Sequence, residues 1–255
     1  MKVISVANRK GGVGKTTTAI NIATAMAAIG KRVLVVDLDP QGNATTSMGV
    51  DKKTCEFSSY DVLINGVEIS KTIKNTQIPD FCIIPSKPSL AAAEIELIDI
   101  EKREFVLKKS LQQISANFDY VLIDCPPSLN LITINSLVAS GSVIVPLQCE
   151  FLALEGLTDL VKNINRIKKN FNPYLKLQGI VLTMFDKRNN LSAMVENDVR
   201  SYFGDLVYQT KIPRSVRISE APSHGKPVMI YDFKSVGAQA YLSLAKEVLL
   251  REKEL

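Results

Sequence analysis

Two lysines and two threonines bracket a run of glycines near the start of this 255-residue chain, in Lys10-Gly11-Gly12-Val13-Gly14-Lys15-Thr16-Thr17. Residues of these types at this spacing suit a phosphate cradle. Glycine lets a turn close tightly and brings backbone N–H groups to an anion with no Cβ in the way. Those amides, and the start of a following helix, then point at phosphate oxygens. Lys15 is placed to reach the β and γ oxygens of a nucleotide, and the Thr16 hydroxyl to ligate Mg²⁺. The general loop pattern has Gly at position 9, whereas this chain has Arg9. Lys10 is a second lysine that the general pattern does not require. Lys15 can serve the loop's own nucleotide, so Lys10, at the loop's entrance, is free to serve another. A partner subunit's nucleotide is the natural candidate.

Carboxylates recur where such a site needs them. The apolar run Val33 to Val36 ends in Asp37-Leu38-Asp39-Pro40-Gln41-Gly42-Asn43. Ligands bind beyond the C-terminal edge of an open parallel sheet. Asp and Asn are also ordinary turn formers, but a place beside the phosphate loop's strand favours a catalytic role for Asp39. A second apolar run, Tyr120 to Ile123, ends in Asp124-Cys125-Pro126-Pro127. This is the Walker B arrangement, in which Asp124 holds Mg²⁺ directly or through water. The two prolines stiffen the turn.

These residues need strands to carry them and helices to cover the strands. Val3 to Ala7 reads as a buried strand before the glycine loop, and Thr18 to Ile29 as a helix after it, closed by Gly30. Continuous apolar runs at Val33–Val36, Phe81–Pro85, Tyr120–Asp124, Ser142–Leu147 and Gln178–Phe185 mark strands covered on both faces. Val207 to Thr210 reads as a late strand. Helices are expected at 89–100, 101–115, 131–139, 157–170, 191–203 and 235–254. The stretch 44–80 offers short segments and no chemistry. The alternation predicts one domain over residues 1–255. Its fold class is α/β, a P-loop NTPase with a mostly parallel twisted sheet and helices on both faces. In the last helix Tyr241, Leu242, Leu244, Ala245, Val248 and Leu249 form an apolar stripe better suited to packing on the sheet than to a membrane.

Composition sets bounds. Hydrophobic residues make up 46% of the chain, enough for a sizeable core. No apolar run approaches the roughly 20 residues of a membrane span, and the N-terminus enters the first strand without a signal-like segment. Cys55, Cys82, Cys125 and Cys149 are widely spaced, which favours packed free thiols over a disulfide or cluster framework. The net charge of +5 is uneven. Residues 1–155 carry 15 Lys+Arg against 16 Asp+Glu, and residues 156–255 carry 16 against 10. A basic C-terminal part suits nucleic acid, anionic lipid, or simply a solvated face. His224, the single histidine, sits between Ser223 and Gly225 in a basic loop and is a poor general base.

Asn8 to Thr18 resembles the deviant Walker A loop of the ParA/Soj chromosome- and plasmid-partition ATPases, relatives of MinD and the nitrogenase iron protein. The resemblance runs the length of the chain, although the family usually has Gln where Arg9 stands. It implies that Asp37 and Asp39 lie in switch I, Asp39 positioning the attacking water and Asp37 supporting the Mg²⁺ shell. It implies that Asp124 to Pro127 is switch II. Cys149 to Gly156 resembles a family segment in which two tyrosines are common, replaced here by Phe151 and Leu152. Ile212 to Pro227 resembles a family signature loop whose start lies near the adenine base, so Pro213 becomes a base contact. Arg188 and Arg217 match positions that hold DNA without sequence preference, with an exposed ion pair, for instance to Glu220, as the alternative reading for such arginines. No helix-turn-helix or other base-reading module is visible.

The resemblance implies hydrolysis of ATP with Mg²⁺, with ATP, Gly11 to Thr17 and Lys10 joined in an ATP-dependent homodimer. That dimer would bind double-stranded DNA non-specifically and be released by a ParB/Spo0J-like centromere-binding activator. The location implied is cytoplasmic and nucleoid-associated, without stable membrane association. A MinD-like ATPase positioning division machinery on a membrane is the alternative. A small-molecule kinase is a third reading, for which the sequence shows no acceptor pocket.

Overall fold

The computed structural model describes residues 1–254. Seven strands form one sheet: β1 (Lys2–Val6), β2 (Val33–Asp37), β3 (Lys74–Asn75), β4 (Phe81–Ile84), β5 (Tyr120–Asp124), β6 (Ser142–Gln148) and β7 (Lys176–Thr183). Their order is β3-β4-β2-β5-β1-β6-β7. All neighbours run parallel except β3, which pairs antiparallel to β4 at the edge. Each parallel pairing needs a crossover, and helices supply it on both faces. The principal ones are α1 (Lys15–Ala28), α2 (Asn43–Ser47), α3 (Val106–Gln112), α4 (Leu131–Ala139), α5 (Ala153–Asn170), α6 (Asn190–Phe203), α7 (Val216–Glu220) and α8 (Val236–Glu254).

The continuous apolar runs are explained by two cores. Along β2, Leu34 and Val36 face one core while Val33 and Val35 face the other. All four are fully buried, because side chains alternate across a strand and both faces are covered. The stripe of α8 belongs to the second core. Tyr241, Leu244, Ala245 and Val248 are buried there with Ile22 and Met26 of α1. Leu242 and Leu249 are partly buried against the same cluster.

The edge strand β3 falls in the stretch where no strand is expected, and three expected elements differ in form. Val207 to Thr210 forms an isolated parallel bridge at Val207 rather than a strand. The Tyr208 amide still donates to the Ile180 carbonyl of β7 at 2.9 Å, but the Gln209 and Thr210 amides donate to the Glu247 carboxylate at 2.9 and 2.8 Å instead of to a strand. The helix expected at 89–100 is a 3₁₀ turn, one α-turn and another 3₁₀ turn, which bury Leu90, Ala93 and Leu97 and leave Ile95 and Ile98 exposed. The helix expected at 101–115 shortens to α3 behind a single 3₁₀ turn at Arg103–Phe105.

One close approach fixes the far side of the site. Gly225, at φ 63°, lies against Gly49, and a Cβ on Gly225 would come within 2.9 Å of the Gly49 Cα. This contact holds the loop after α7 against the loop after α2. Gly225→Ala adds a left-handed alanine, about 1–2 kcal/mol, to backbone overpacking of about 1–3 kcal/mol. The variant is expected to lose about 2–5 kcal/mol of unfolding free energy, read as a lower urea midpoint at unchanged m value.

Candidate nucleotide site

The glycine loop leaves β1 and turns into α1 with Gly12 at φ 74° and Gly14 at φ 89°. Both angles favour glycine. Gly14 is the N-cap of α1 and brings no side chain to it, so the helix's first amides stay available to an anion. The loop is tied to its surroundings at both ends. Asn8 Nδ2 donates to the Pro146 carbonyl of β6 at 2.7 Å, and Asn8 Oδ1 accepts from the Lys10 amide at 3.0 Å. Thr183 Oγ1, at the end of β7, donates to the Val13 carbonyl at 2.8 Å.

The two lysines of the loop have opposite surroundings. Lys15 is buried, and its Nζ donates to the Lys10 carbonyl at 2.9 Å. Burial lowers its pKa, while Asp124, Cys125 and Asp39 act to raise it. The Lys10 side chain is 54% exposed, and its ammonium pairs with Glu150 beyond the end of β6.

The register of the sheet sets the carboxylates side by side. Asp37 ends β2 and Asp124 ends β5, and the two are partners across those strands. Both are fully buried. Asp37 is well satisfied: Oδ2 accepts from the Thr45 amide and hydroxyl at 2.8 and 2.7 Å, and Oδ1 from the Asp39 amide at 3.2 Å. Burial pushes its carboxyl up to about 6 against the pull of these hydrogen bonds. Asp124 is the contrast. Neither of its oxygens has a formed hydrogen bond. Burial lifts its carboxyl well above the usual carboxylate range and Asp37 adds to the lift, while the nearby Thr16 hydroxyl and Lys15 oppose it. Asp39 is half-buried, and its Oδ1 accepts from the Gln41 amide at 2.9 Å.

A cavity of about 320 Å³ gathers Gly11, Gly12, Gly14, Lys15, Thr16, Thr17 and Asp39, together with Pro127 of the turn after β5. Lys10 is not among its lining residues. A second cavity of about 380 Å³ shares Gly14, Thr17 and Met184 with the first and is lined by Ile212, Pro213 and Val216. The two together offer a polar end beside the glycine loop and a more apolar end beside Pro213. Arg188 and Arg217 stand apart from both. Arg188 is 90% exposed and pairs with Asp186; it borders a basic cleft with Lys187, Lys211, Arg214 and Lys234. Arg217 lies on α7 and pairs with Glu220 and Asp232. His224 stacks on Tyr231, with ring centroids 4.9 Å apart. All four cysteines are free thiols.

Sequence reasoning missed several contributors. Asn43 and Ser47 of α2 line the phosphate-side cavity, and Thr45 of α2 holds Asp37. Their stretch lacked a pattern, although Asn43 directly follows Gly42 at φ 61°. Met184 lines both cavities with a left-handed φ of 49°, a strained backbone state of the kind found at binding sites. Nothing in its sequence context signals this.

Comparison with known proteins agrees with the geometry. A family model described as an AAA domain matches residues 1–177. The chromosome partitioning protein ParA of Caulobacter vibrioides is 52% identical over 256 residues, covering 100% of this chain and 96% of that protein. The sporulation initiation inhibitor protein Soj of Bacillus subtilis is 51% identical over 247 residues, covering 97% and 98%. The chain belongs to the ParA/Soj family of partitioning P-loop ATPases. Among solved structures, a Mycobacterium smegmatis protein described as cobyrinic acid a,c-diamide synthase, with bound ADP and magnesium, superposes at TM-score 0.87. It is 39% identical and covers 99% of this chain and 96% of its own. The cell division ATPase MinD of Pyrococcus furiosus superposes at TM-score 0.82 with 25% identity, over 100% and 99% of the two chains. This ParA/Soj-type chain is therefore an ATPase; the Mycobacterium smegmatis protein has been solved with ADP and with an ATP analogue, each with magnesium. Among the described residues, no helix is long and apolar enough to cross a membrane.

The site's own chemistry fits the metal. A buried carboxylate with two orphaned oxygens is costly unless a cation or donor meets it, and Asp124 sits in that state beside the Thr16 hydroxyl. Asp124→Asn removes the group whose ionisation burial and Asp37 oppose. Its nucleotide-free form is expected to be as stable as the parent or more so, by up to about 2 kcal/mol, while Mg²⁺-dependent ATP hydrolysis falls at least about 100-fold. Urea denaturation and phosphate release measure the two effects.

Proposed function

We propose that this ATPase is a DNA-partitioning switch. ATP binding joins two subunits face to face, and the dimer holds chromosomal or plasmid DNA without reading its sequence. A partner bound at a centromere-like site then stimulates hydrolysis and releases it. Repetition of that cycle on the nucleoid would segregate replicated DNA.

The observation that carries this reading is the division of labour between the loop's lysines. Lys15 lies over the loop's own cavity, and Lys10 stands outside it with an exposed ammonium. In the proposed site the amides of Gly11 to Thr17 and the Lys15 ammonium hold the phosphates, and Pro213 lies against the base. Thr16 and Asp124 hold Mg²⁺, which when bound neutralises charge on the phosphate oxygens. Asp37 supports that shell through its charge and by fixing switch I, since its oxygens are already engaged by Thr45 and Asp39. Asp39 orients water. Lys10 reaches the phosphates bound by the second subunit. Switch I and switch II both border the phosphate cavity through Asp39 and Pro127, so loss of the γ-phosphate is felt by both loops at once.

The DNA surface rests on exposed guanidinium groups. Arg188 and Arg217 each carry a carboxylate neighbour in cis that DNA phosphates would displace. Such contacts give affinity without sequence information. Binding to a random-sequence duplex is measured with ADP, with ATP, and with ATP in Arg217→Ala, across a salt series. ATP-dependent binding is expected, and the variant should lower the slope of log K against log salt by about 2, one phosphate contact per subunit. Absence of DNA binding in every nucleotide state, in protein that binds ATP, would overturn the reading and turn attention to lipid vesicles.

A further inference from the structure

We propose that Glu150 is a positioning residue for Lys10. It holds the lysine within its own subunit, so that subunit pairing must exchange this carboxylate for phosphate. The inference rests on the reading of Lys10 as the residue that crosses between subunits.

The ion pair joins two segments that are otherwise fastened in place. On one side, the Lys10 amide is bound by Asn8 and its carbonyl by Lys15, so the backbone that carries the ammonium is fixed. On the other, the Glu150 amide donates to the Gln148 carbonyl at 3.0 Å, and the Glu150 carbonyl accepts from the Ala153 amide at 3.1 Å. Asn8 also ties the loop directly to Pro146 of β6. The two charged tips therefore meet because both backbones are held. Neither Lys10 nor Glu150 makes another ion pair among the described residues.

Both loop lysines are thus occupied by groups that phosphate would replace: Lys15 by the Lys10 carbonyl, and Lys10 by Glu150. The residues after Glu150 add a reason for the pair to matter. Phe151 is 79% exposed and Leu152 60%, and Leu152 has a left-handed φ of 64°. An apolar pair in solvent, on a strained turn, is suited to burial in a contact between subunits. Glu150 links that turn to the glycine loop, so release of Lys10 and burial of Phe151 and Leu152 belong to one step.

The pair is exposed, with 54% and 39% of the two side chains accessible, so its strength is modest. An exposed ion pair of about 0.2–1 kcal/mol corresponds to a factor of roughly 1.5 to 5. A dimer breaks two such pairs, which squares the factor. Glu150→Gln keeps the shape and removes the charge. Sedimentation of the full chain with ATP at fixed salt is therefore expected to show a dimer dissociation constant about 2- to 25-fold lower for Glu150→Gln. The gain should shrink as salt rises, because screening weakens the pair in the parent protein.

Lys10→Ala and the double variant complete the test. In the Lys10→Ala background, Glu150→Gln is expected to have no effect. Equal or weaker dimerisation of Glu150→Gln beside an impaired Lys10→Ala would overturn the role of Glu150 alone. A Glu150→Gln gain that persists without Lys10 would do the same. Lys10→Ala that dimerises like the parent would overturn the crossing role of Lys10, and this inference with it.

Discussion

The site depends on one electrostatic constraint: two aspartates set side by side at the ends of adjacent parallel strands, both out of water. The register of β2 against β5 pairs Asp37 with Asp124, at the ends of strands covered on both faces. Two buried carboxylates at that spacing cannot both remain ionised cheaply. The fold resolves the conflict unequally. Asp37 receives three hydrogen bonds and becomes part of the scaffold. Asp124 receives none and keeps its demand for a cation. The demand for a cation is thus concentrated on a single side chain, next to the hydroxyl and the lysine of the phosphate loop.

The rest of the site is organised around that imbalance. Thr45 serves both sides of it, donating to Asp37 and accepting the Ser86 amide at 2.9 Å beyond β4. This makes α2 a strut between switch I and the neighbouring strand. Gly49 and Gly225 then bring the loop after α7 against the same segment. The strand end that carries Asp124 is thus linked by contacts, through Asp37 and Thr45, to the segment that follows Arg217. The chain of contacts is short and runs through buried hydrogen bonds and backbone packing, which transmit displacement better than exposed side chains do.

The sheet was legible in the sequence because its strands are buried on both faces. Runs such as Val33 to Val36 have no other economical explanation, and Pro126-Pro127 and Gly30 mark where elements stop. The glycine loop was legible for the same kind of reason: few residue types satisfy its backbone and its ligand together. What was hidden lies where neither constraint operates. The Glu247 carboxylate replaces a strand partner at Gln209 and Thr210, and a contact 37 residues away from Thr210 leaves no local pattern. Thr45 and Met184 are likewise defined by what surrounds them in space. A short helix such as α2 carries too few residues for periodicity to register.

Lys10 and Lys15 show how one loop can place the same side chain in two electrostatic environments. They are five residues apart, and the glycines between them reverse the chain. Lys15 starts a buried helix and faces three acidic or thiol groups that favour its charge while burial opposes it. Lys10 precedes the turn, lies outside the cavity and is half exposed, and among the described residues its ammonium pairs with Glu150 alone. A buried ammonium is confined by its surroundings and suits a ligand bound inside the cavity. An exposed ammonium exchanges partners at a cost of about 1 kcal/mol or less, and such a group can respond to the arrival and departure of another molecule. The difference follows from which side of the glycine turn each lysine occupies, so the backbone of Gly11 to Gly14 sets both environments.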